Sequence, residues 1–159
     1  MPDALFDLKA MRSTVDAFDR LLSATPREVA HIRINPDAWT LAEIVGHLVD
    51  SASNNHQRFA RLRLGDLKSF PSYKAEPWVE AQGYDLCDFA MLAELWRQYN
   101  GLLLHLAATT PESAADNAWH LDGKPLTLAF LVRDYYVHLA EHVDQYARRL
   151  AEVGDPLPG

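Results

Sequence analysis

Cysteine, long apolar runs and clusters of basic residues are all scarce in this sequence. Cys87 is its single cysteine, which excludes an internal disulfide and a metal site built from several cysteines. No apolar stretch approaches the roughly 20 residues that a membrane-spanning helix requires. The first residues lack the basic start and apolar run of a signal peptide. We therefore expect a cytoplasmic protein that does not enter a membrane.

Basic residues are outnumbered by acidic ones, with 15 Lys and Arg against 22 Asp and Glu and a formal net charge of -7. An acidic surface repels phosphate backbones, so we do not expect nucleic acid as a partner. The 159 residues, 48% of them hydrophobic, suffice for one folded core. A single domain over residues 1–159 follows.

Apolar residues spaced three and four apart predict four amphipathic helices separated by proline-bearing connections. Thr40 and Glu43 have the spacing of a capping box, which marks the start of the second helix. The predicted helices cover residues 4–24, 40–65, 85–106 and 125–152. No window of comparable length alternates strictly between apolar and polar residues, so a sheet has little support. The sequence predicts an all-α four-helix bundle.

Two of the predicted connections, residues 66–84 and 110–124, are long for such a bundle. Loops of this length are typically crossovers or walls of a site. Because they contain Tyr73, Trp78 and Trp119, we expect them to pack onto the helices.

Two histidines four residues apart occupy the predicted apolar stripe of the fourth helix. His138 and His142 lie on this stripe between Tyr135 and Tyr146. Residues four apart stand one turn above each other, so both imidazoles can converge on one metal ion. The alternative is a pair of hydrogen-bonded core histidines, because a chain with seven histidines can contain this spacing by chance.

The inward face of the second helix carries polar residues where apolar ones are expected. His47 is followed by Asn54, Asn55 and Arg58 on or beside this face. Burying them unpaired is costly, so they either meet one another or surround a metal-containing pocket. Asp50, one turn beyond His47, is a candidate base or orienting group. Arg58 is a candidate anion anchor, with a salt bridge to a nearby acid as the alternative.

Several motifs resemble the DinB superfamily, and its YfiT-like branch most closely. Residues 39–51, WTLAEIVGHLVDS, are similar to the start of the second helix in this family. The segment NNHQRF at 54–59, Tyr73 followed by Trp78, and residues 123–142 resemble further motifs of the branch in the same order. The branch includes metal-dependent hydrolases and bacillithiol S-transferases.

The resemblance implies a four-helix bundle with up-down-down-up topology and a divalent metal held by His47, His138 and His142. It also implies frequent homodimers, and we expect aromatic residues, Trp96 and Tyr99 among them, to contribute to such a contact. For some relatives it implies transfer of a low-molecular-weight thiol.

The sequence and the resemblance together predict a metal-dependent enzyme, either a thiol S-transferase or a hydrolase, that acts on a small-molecule substrate. Three imidazoles suit zinc or nickel better than magnesium or calcium, which prefer oxygen ligands. Asp50 and Arg58 would assist as base or orienting group and as anion anchor. The alternative from another class is a non-catalytic, stress-related bundle whose metal is structural.

Overall fold

The computed structural model describes residues 4–154, and α-helices account for most of them. The helices are α1 (Leu8–Ser23), α2 (Leu41–Leu62), α3 (Ala75–Gln82), α4 (Phe89–Ala108) and α5 (Leu128–Gly154), and a hairpin of β1 (Ala118–Leu121) and β2 (Lys124–Thr127) precedes α5. Within the described residues no helix is both long and apolar enough to cross a membrane.

The beginning of α2 follows from the capping box that the sequence predicts. The Thr40 hydroxyl accepts from the backbone N–H of Glu43, and the Glu43 carboxylate accepts from the backbone N–H of Thr40. These two bonds satisfy amide groups that have no partner inside the helix. The helix ends at Leu62, earlier than predicted, and Gly65 beyond it has a positive φ of 149° that a helix does not accommodate.

Helices α2 and α4 run parallel to each other. The His56 imidazole contacts the Tyr99 hydroxyl at 3.0 Å. One to two turns further along both helices, Arg63 donates to the Leu106 carbonyl. The contacts therefore advance in the same direction along the two helices.

Helix α5 runs antiparallel to α2, because its contacts move backwards along α5 as they advance along α2. The two contacts that establish this direction are His47 with His142 and Phe59 with Tyr135.

Helix α5 runs parallel to α1. Arg133 in α5 donates to the Leu5 carbonyl just before α1, and the Tyr146 hydroxyl pairs with Thr25 just after it. The four long helices are thus arranged up-down-down-up, which confirms the predicted topology.

Aromatic residues fill the centre of the bundle. Phe18 packs edge-to-face against Trp96 at 4.6 Å and against Tyr146 at 5.0 Å between ring centroids. Trp96 has no exposed surface. Its predicted contribution to a contact between subunits is therefore wrong: it belongs to the core of a single chain.

The hairpin of β1 and β2 corrects the expectation that the chain contains no sheet and that the last helix starts near residue 125. Strand β1 pairs with β2 in antiparallel register from Ala118 opposite Thr127 to Leu121 opposite Lys124. Its two-residue turn, Asp122 and Gly123, has positive φ values of 51° and 78°. An Asp-Gly pair suits such a turn because it tolerates the left-handed conformation. Four residues per strand are too few to show a clear alternation.

The long connections pack against the bundle, as predicted: Trp119 lies 4.2 Å from the guanidinium carbon of Arg58 in α2, and Tyr84 donates to Asp50 in α2. The Trp119 indole is buried and donates from Nε1 to the Phe70 carbonyl at 2.9 Å. Tyr73 packs against Trp78 with their ring centroids 4.9 Å apart, and Trp78 remains 40% exposed. The sequence did not predict the short helix α3, which lies in the first of these connections.

Candidate metal centre

Two of the three predicted metal ligands face each other between α2 and α5. The Nε2 atom of His47 lies 3.3 Å from the Nε2 atom of His142. Their ring centroids are 4.9 Å apart and the rings are inclined at 69°. The antiparallel packing of the two helices thus brings together two imidazoles that are distant in sequence.

Gln145 determines which nitrogen of His142 is available. The Gln145 Oε1 atom lies 2.9 Å from His142 Nδ1. Since a carbonyl oxygen only accepts, Nδ1 of neutral His142 carries the proton and donates it to Gln145. The Nε2 lone pair of His142 therefore points towards His47.

His47 is half-buried and lies beside an aromatic ring. Its ring lies 5.2 Å from the Trp39 ring, and its Nδ1 atom is buried without a hydrogen-bond partner in the part of the chain that the structure describes. Burial and, to a smaller extent, the neighbouring His142 together lower the pKa of His47 to about 4. The ring is consequently neutral at pH 7.

The geometry of this pair fits a shared transition metal. Two nitrogens bound at about 2.0–2.1 Å to one tetrahedral zinc lie about 3.3–3.4 Å apart. The observed separation of 3.3 Å between the His47 and His142 nitrogens agrees with that value. The same separation also suits a hydrogen bond between the two rings, the alternative considered from the sequence. Metal ligation also requires neutral imidazoles, and the depressed pKa of His47 satisfies this requirement.

The structure does not bring His138 to this pair. Its side chain is 60% exposed, with Nε2 3.4 Å from Asp134 and Nδ1 3.2 Å from Glu141. The buried face of α5 centres on Tyr135 and Tyr146, and His138 lies at the margin of this face. The prediction that both α5 histidines occupy the core stripe is therefore wrong for His138.

Within residues 4–154, no three His, Cys, Asp or Glu side chains approach closely enough to form a metal site. A site with His138 as its third ligand consequently requires this side chain to leave its two carboxylate neighbours.

Asp50 is buried and bound to the segment that follows α3. Its carboxylate accepts from Tyr84 at 2.6 Å and from Gln82 at 2.9 and 3.0 Å. Burial raises the pKa of Asp50, while the bonds from Tyr84 and Gln82 counteract this shift. These contacts hold the connection against α2 and occupy both carboxylate oxygens.

Gly46, directly before His47, makes this packing possible. A Cβ atom at this position would lie 2.2 Å from the ring of Tyr84. The Tyr84 ring therefore rests on the backbone of α2, with its hydroxyl directed to Asp50.

Arg58 lies further along α2, away from the histidines. Eleven residues separate it from His47 in the sequence, which corresponds to roughly 16 Å along a helix axis. Arg58 is 8% exposed, and its guanidinium carbon lies 4.2 Å from the centroid of the Trp119 ring. The salt bridge considered as an alternative is not present among the described residues.

A cleft of about 290 Å³ adjoins the histidine pair. Trp39, which contacts His47, and Gln145, which binds His142, both contribute to its wall. Its full lining is Asp37, Ala38, Trp39, Glu76, Gln145 and Arg149. Neither histidine is among these lining residues, so the cleft reaches the two imidazoles through Trp39 and Gln145, which contact them.

Sequence reasoning missed several of these groups. Gln145 lies three residues after His142, so helical spacing alone could have indicated a hydrogen bond to a ligand histidine. Glu76 comes from α3, and its charge raises the pKa of His47 against the effect of burial. No local pattern connects Glu76 with His47, because their proximity depends on how the connection folds back.

Comparisons with known proteins support the same family and fold. The solved structure of YfiT from Bacillus subtilis, described as a probable metal-dependent hydrolase with an unusual four-helix bundle topology, superimposes with a TM-score of 0.79 at 16% identity. The match covers 94% of this chain and 86% of that one. Curated protein sequences give no significant match. The DinB superfamily profile matches residues 10–146, so this chain, with its up-down-down-up bundle and its facing histidines, belongs to the DinB superfamily.

Proposed function

We propose that the protein is a metal-dependent enzyme whose divalent transition metal is held by His47, His142 and His138. The observation that carries the proposal is the 3.3 Å separation of the His47 and His142 Nε2 atoms. Once the Nε2 atoms of both rings are free of protons, two imidazoles at this distance present converging lone pairs to one cation. The description of YfiT as a probable metal-dependent hydrolase is consistent with this assignment.

His138 is the proposed third ligand because it lies one turn before His142 on the same helix. Its exposed side chain can change rotamer without disturbing the core, and it exchanges Asp134 and Glu141 for the metal. Three protein ligands leave a coordination position open, as catalytic sites require.

Zinc or nickel is the proposed metal, since imidazole nitrogens suit both. A metal of this kind would supply Lewis acidity that lowers the pKa of a bound thiol or water. More of the bound group would then be deprotonated at neutral pH. Gln145 keeps the His142 lone pair directed at the centre, and burial keeps His47 unprotonated. The substrate occupies the cleft lined by Trp39 and Gln145.

Asp50 and Arg58 have supporting roles in this proposal. The bonds of Asp50 to Tyr84 and Gln82 favour a role in positioning the connection beside His47 over a role as a base. Arg58 is the proposed anchor for an anionic group of the substrate or cosubstrate, because it is buried without an acidic partner among the described residues.

Thiol S-transfer is the preferred reaction and hydrolysis is the alternative. A borderline metal binds a soft thiolate well and deprotonates it at neutral pH. Cys87, the only cysteine, lies at the end of the turn 84–86 and is not among the residues around the histidine pair. The nucleophile is therefore proposed to come from a small cellular thiol.

A conjugation assay tests this choice. Metal-loaded and metal-stripped protein are compared with an electrophilic reporter and a panel of low-molecular-weight thiols. A metal-dependent rate with at least one thiol supports S-transfer. Metal-dependent hydrolysis of esters or amides without thiol conjugation assigns the protein as a hydrolase. Inactivity in both assays favours a non-catalytic metal-binding protein.

Homodimerisation and a cytoplasmic location remain predictions from the sequence and the family resemblance. Exposed apolar side chains such as Phe130 and Val137 on α5 are available for a contact between subunits. Light scattering at micromolar concentration tests the dimer, and the mass of a single chain, 17.9 kDa, would contradict it.

A further inference from the structure

The guanidinium of Arg58 is buried, and none of the described residues supplies a group of opposite charge to it. Arg58 is 8% exposed, and its Nε atom is buried without a hydrogen-bond partner among these residues. No carboxylate within residues 4–154 forms a salt bridge with it. Burial of an unpaired cation is costly, and accordingly it lowers the pKa of Arg58. An anionic ligand would remove this cost.

Trp119 determines how a ligand can approach Arg58. The guanidinium carbon lies 4.2 Å from the centroid of the Trp119 ring, so the indole covers one face of the cation. The indole is fixed because its Nε1 donates to the Phe70 carbonyl at 2.9 Å. The N–H groups of a guanidinium lie in its plane, and stacking leaves them free to donate. In-plane, paired donation is the geometry in which arginine binds a carboxylate.

The charge around Arg58 favours an anion with a single charge. Burial raises the pKa of Tyr73 and outweighs the lowering effect of the Arg58 charge, so Tyr73 is a neutral phenol. Asp50 also acts on Tyr73, but its oxygens are bound to Tyr84 and Gln82. The Arg58 guanidinium stacks on Trp119, whereas that of Arg61 stacks on Phe70. A single guanidinium at the Trp119 ring matches a carboxylate better than a phosphate dianion.

We propose that Arg58, stacked on Trp119 and beside Tyr73, binds the carboxylate of an organic acid. Carboxylate binding itself does not depend on the metal. The role of the bound carboxylate in the reaction rests on the proposed function. Arg58 lies roughly 16 Å along α2 from His47, one of the proposed metal ligands. A ligand that reaches both sites is therefore an extended molecule with its carboxylate far from the reacting atom.

Titration of metal-free, full-length protein tests the proposal. The probes are N-acetylglycine, its uncharged amide and inorganic phosphate, and the signals are the Arg58 Nε–H and Trp119 Nε1–H resonances. N-acetylglycine is expected to shift both resonances saturably, whereas the amide shifts neither. No saturable shift, or tighter binding of phosphate than of N-acetylglycine, overturns the assignment.

Variants locate the binding group. Arg58→Gln is expected to weaken N-acetylglycine binding about tenfold or more, because it removes a charged donor pair. Arg58→Lys keeps the charge without the planar fork and retains part of the affinity if the wild-type site binds a carboxylate. Arg61→Gln is the matched control, since Arg61 is exposed on the same helix and stacks on Phe70 at 5.3 Å.

Equal loss of affinity in Arg58→Gln and Arg61→Gln would overturn the assignment. If Arg58→Gln does not fold, the shifts of the wild-type resonances and the affinity of Arg58→Lys for N-acetylglycine test whether Arg58 binds the carboxylate. No metal or turnover enters this experiment, so its failure leaves the metal centre standing. Conversely, loss of the proposed metal centre does not alter the expected titration.

Discussion

The Nε2 atoms of His47 and His142 face each other at 3.3 Å although 95 residues separate the two histidines in sequence. If both rings carried protons on both nitrogens, two positive charges would meet at this distance. The depressed pKa of His47 avoids this repulsion. A pair of imidazoles with converging nitrogens is an arrangement that a divalent cation stabilises.

Gln145→Leu is expected to weaken metal binding about 10–100-fold, the usual cost of losing a hydrogen bond behind a ligand histidine. The bond from His142 Nδ1 to Gln145 at 2.9 Å fixes the tautomer and the ring orientation. Competition with a chromophoric chelator measures the change in affinity. Gln57→Leu is the matched control, since Gln57 lies exposed on α2 and binds Arg61. Equal affinities in both variants would show that Gln145 does not orient His142.

His138→Ala is expected to lower metal affinity by about tenfold or more, a change of at least about 1.4 kcal/mol in binding free energy. The reason is the loss of the third ligand, while His47 and His142 still bind. The same chelator competition provides the measurement, with His105→Ala on α4 as the control. Unchanged affinity in His138→Ala would reduce the site to the two facing histidines.

His47 in metal-free protein is expected to titrate near pH 4 rather than near 6.5, because burial disfavours its charged form. The folded state then binds fewer protons than the unfolded state between these values. Its contribution to stability is complete above about pH 6.5 and declines as the pH falls towards 4. Imidazole ¹⁵N resonances give the pKa directly.

Urea denaturation at pH 7 and pH 5 checks the sign of this effect. Wild-type protein should lose more stability between the two pH values than His47→Gln, which has no titrating group at this position. A midpoint near 6.5 for His47 would contradict its burial beside Trp39.

Gly46→Ala is expected to destabilise the protein by about 1–3 kcal/mol, the range typical of an overpacked site. The added Cβ would meet the Tyr84 ring at 2.2 Å and would displace its hydroxyl from Asp50. Gly101→Ala on α4 is the matched control, because no atom lies within 4 Å of its added Cβ. Helix propensity predicts that this control is neutral or more stable by up to about 1 kcal/mol. Urea denaturation distinguishes the two outcomes.

The helices were predictable because their signals are local. The Thr40 and Glu43 capping box lies within one turn and the structure contains both of its hydrogen bonds. The periodic spacing of apolar residues likewise places the four long helices. The family resemblance, rather than this periodicity, supplied the up-down-down-up order.

The features of the fold and of the site that the sequence did not predict depend on side-chain orientation and on contacts between segments distant in sequence. His138 was predicted in the core stripe because it lies one turn from His142. A side chain at the edge of a helix face can point either to the core or to solvent, and that of His138 contacts Asp134 and Glu141. The bond of Asp50 to Tyr84 requires the connection to fold back across α2. No sequence pattern contains that information.

Metal content tests the central proposal most directly. Protein purified under mild, chelator-free conditions is analysed for zinc, nickel and other divalent metals, alongside a His47→Gln, His142→Gln double variant and His56→Gln as a control. His56 is suitable because it lies on the same helix and its Nδ1 pairs with Tyr99. About one transition metal per chain is expected in the wild type and the control, with none in the double variant. Full metal occupancy in a folded double variant would contradict a metal centre at His47 and His142.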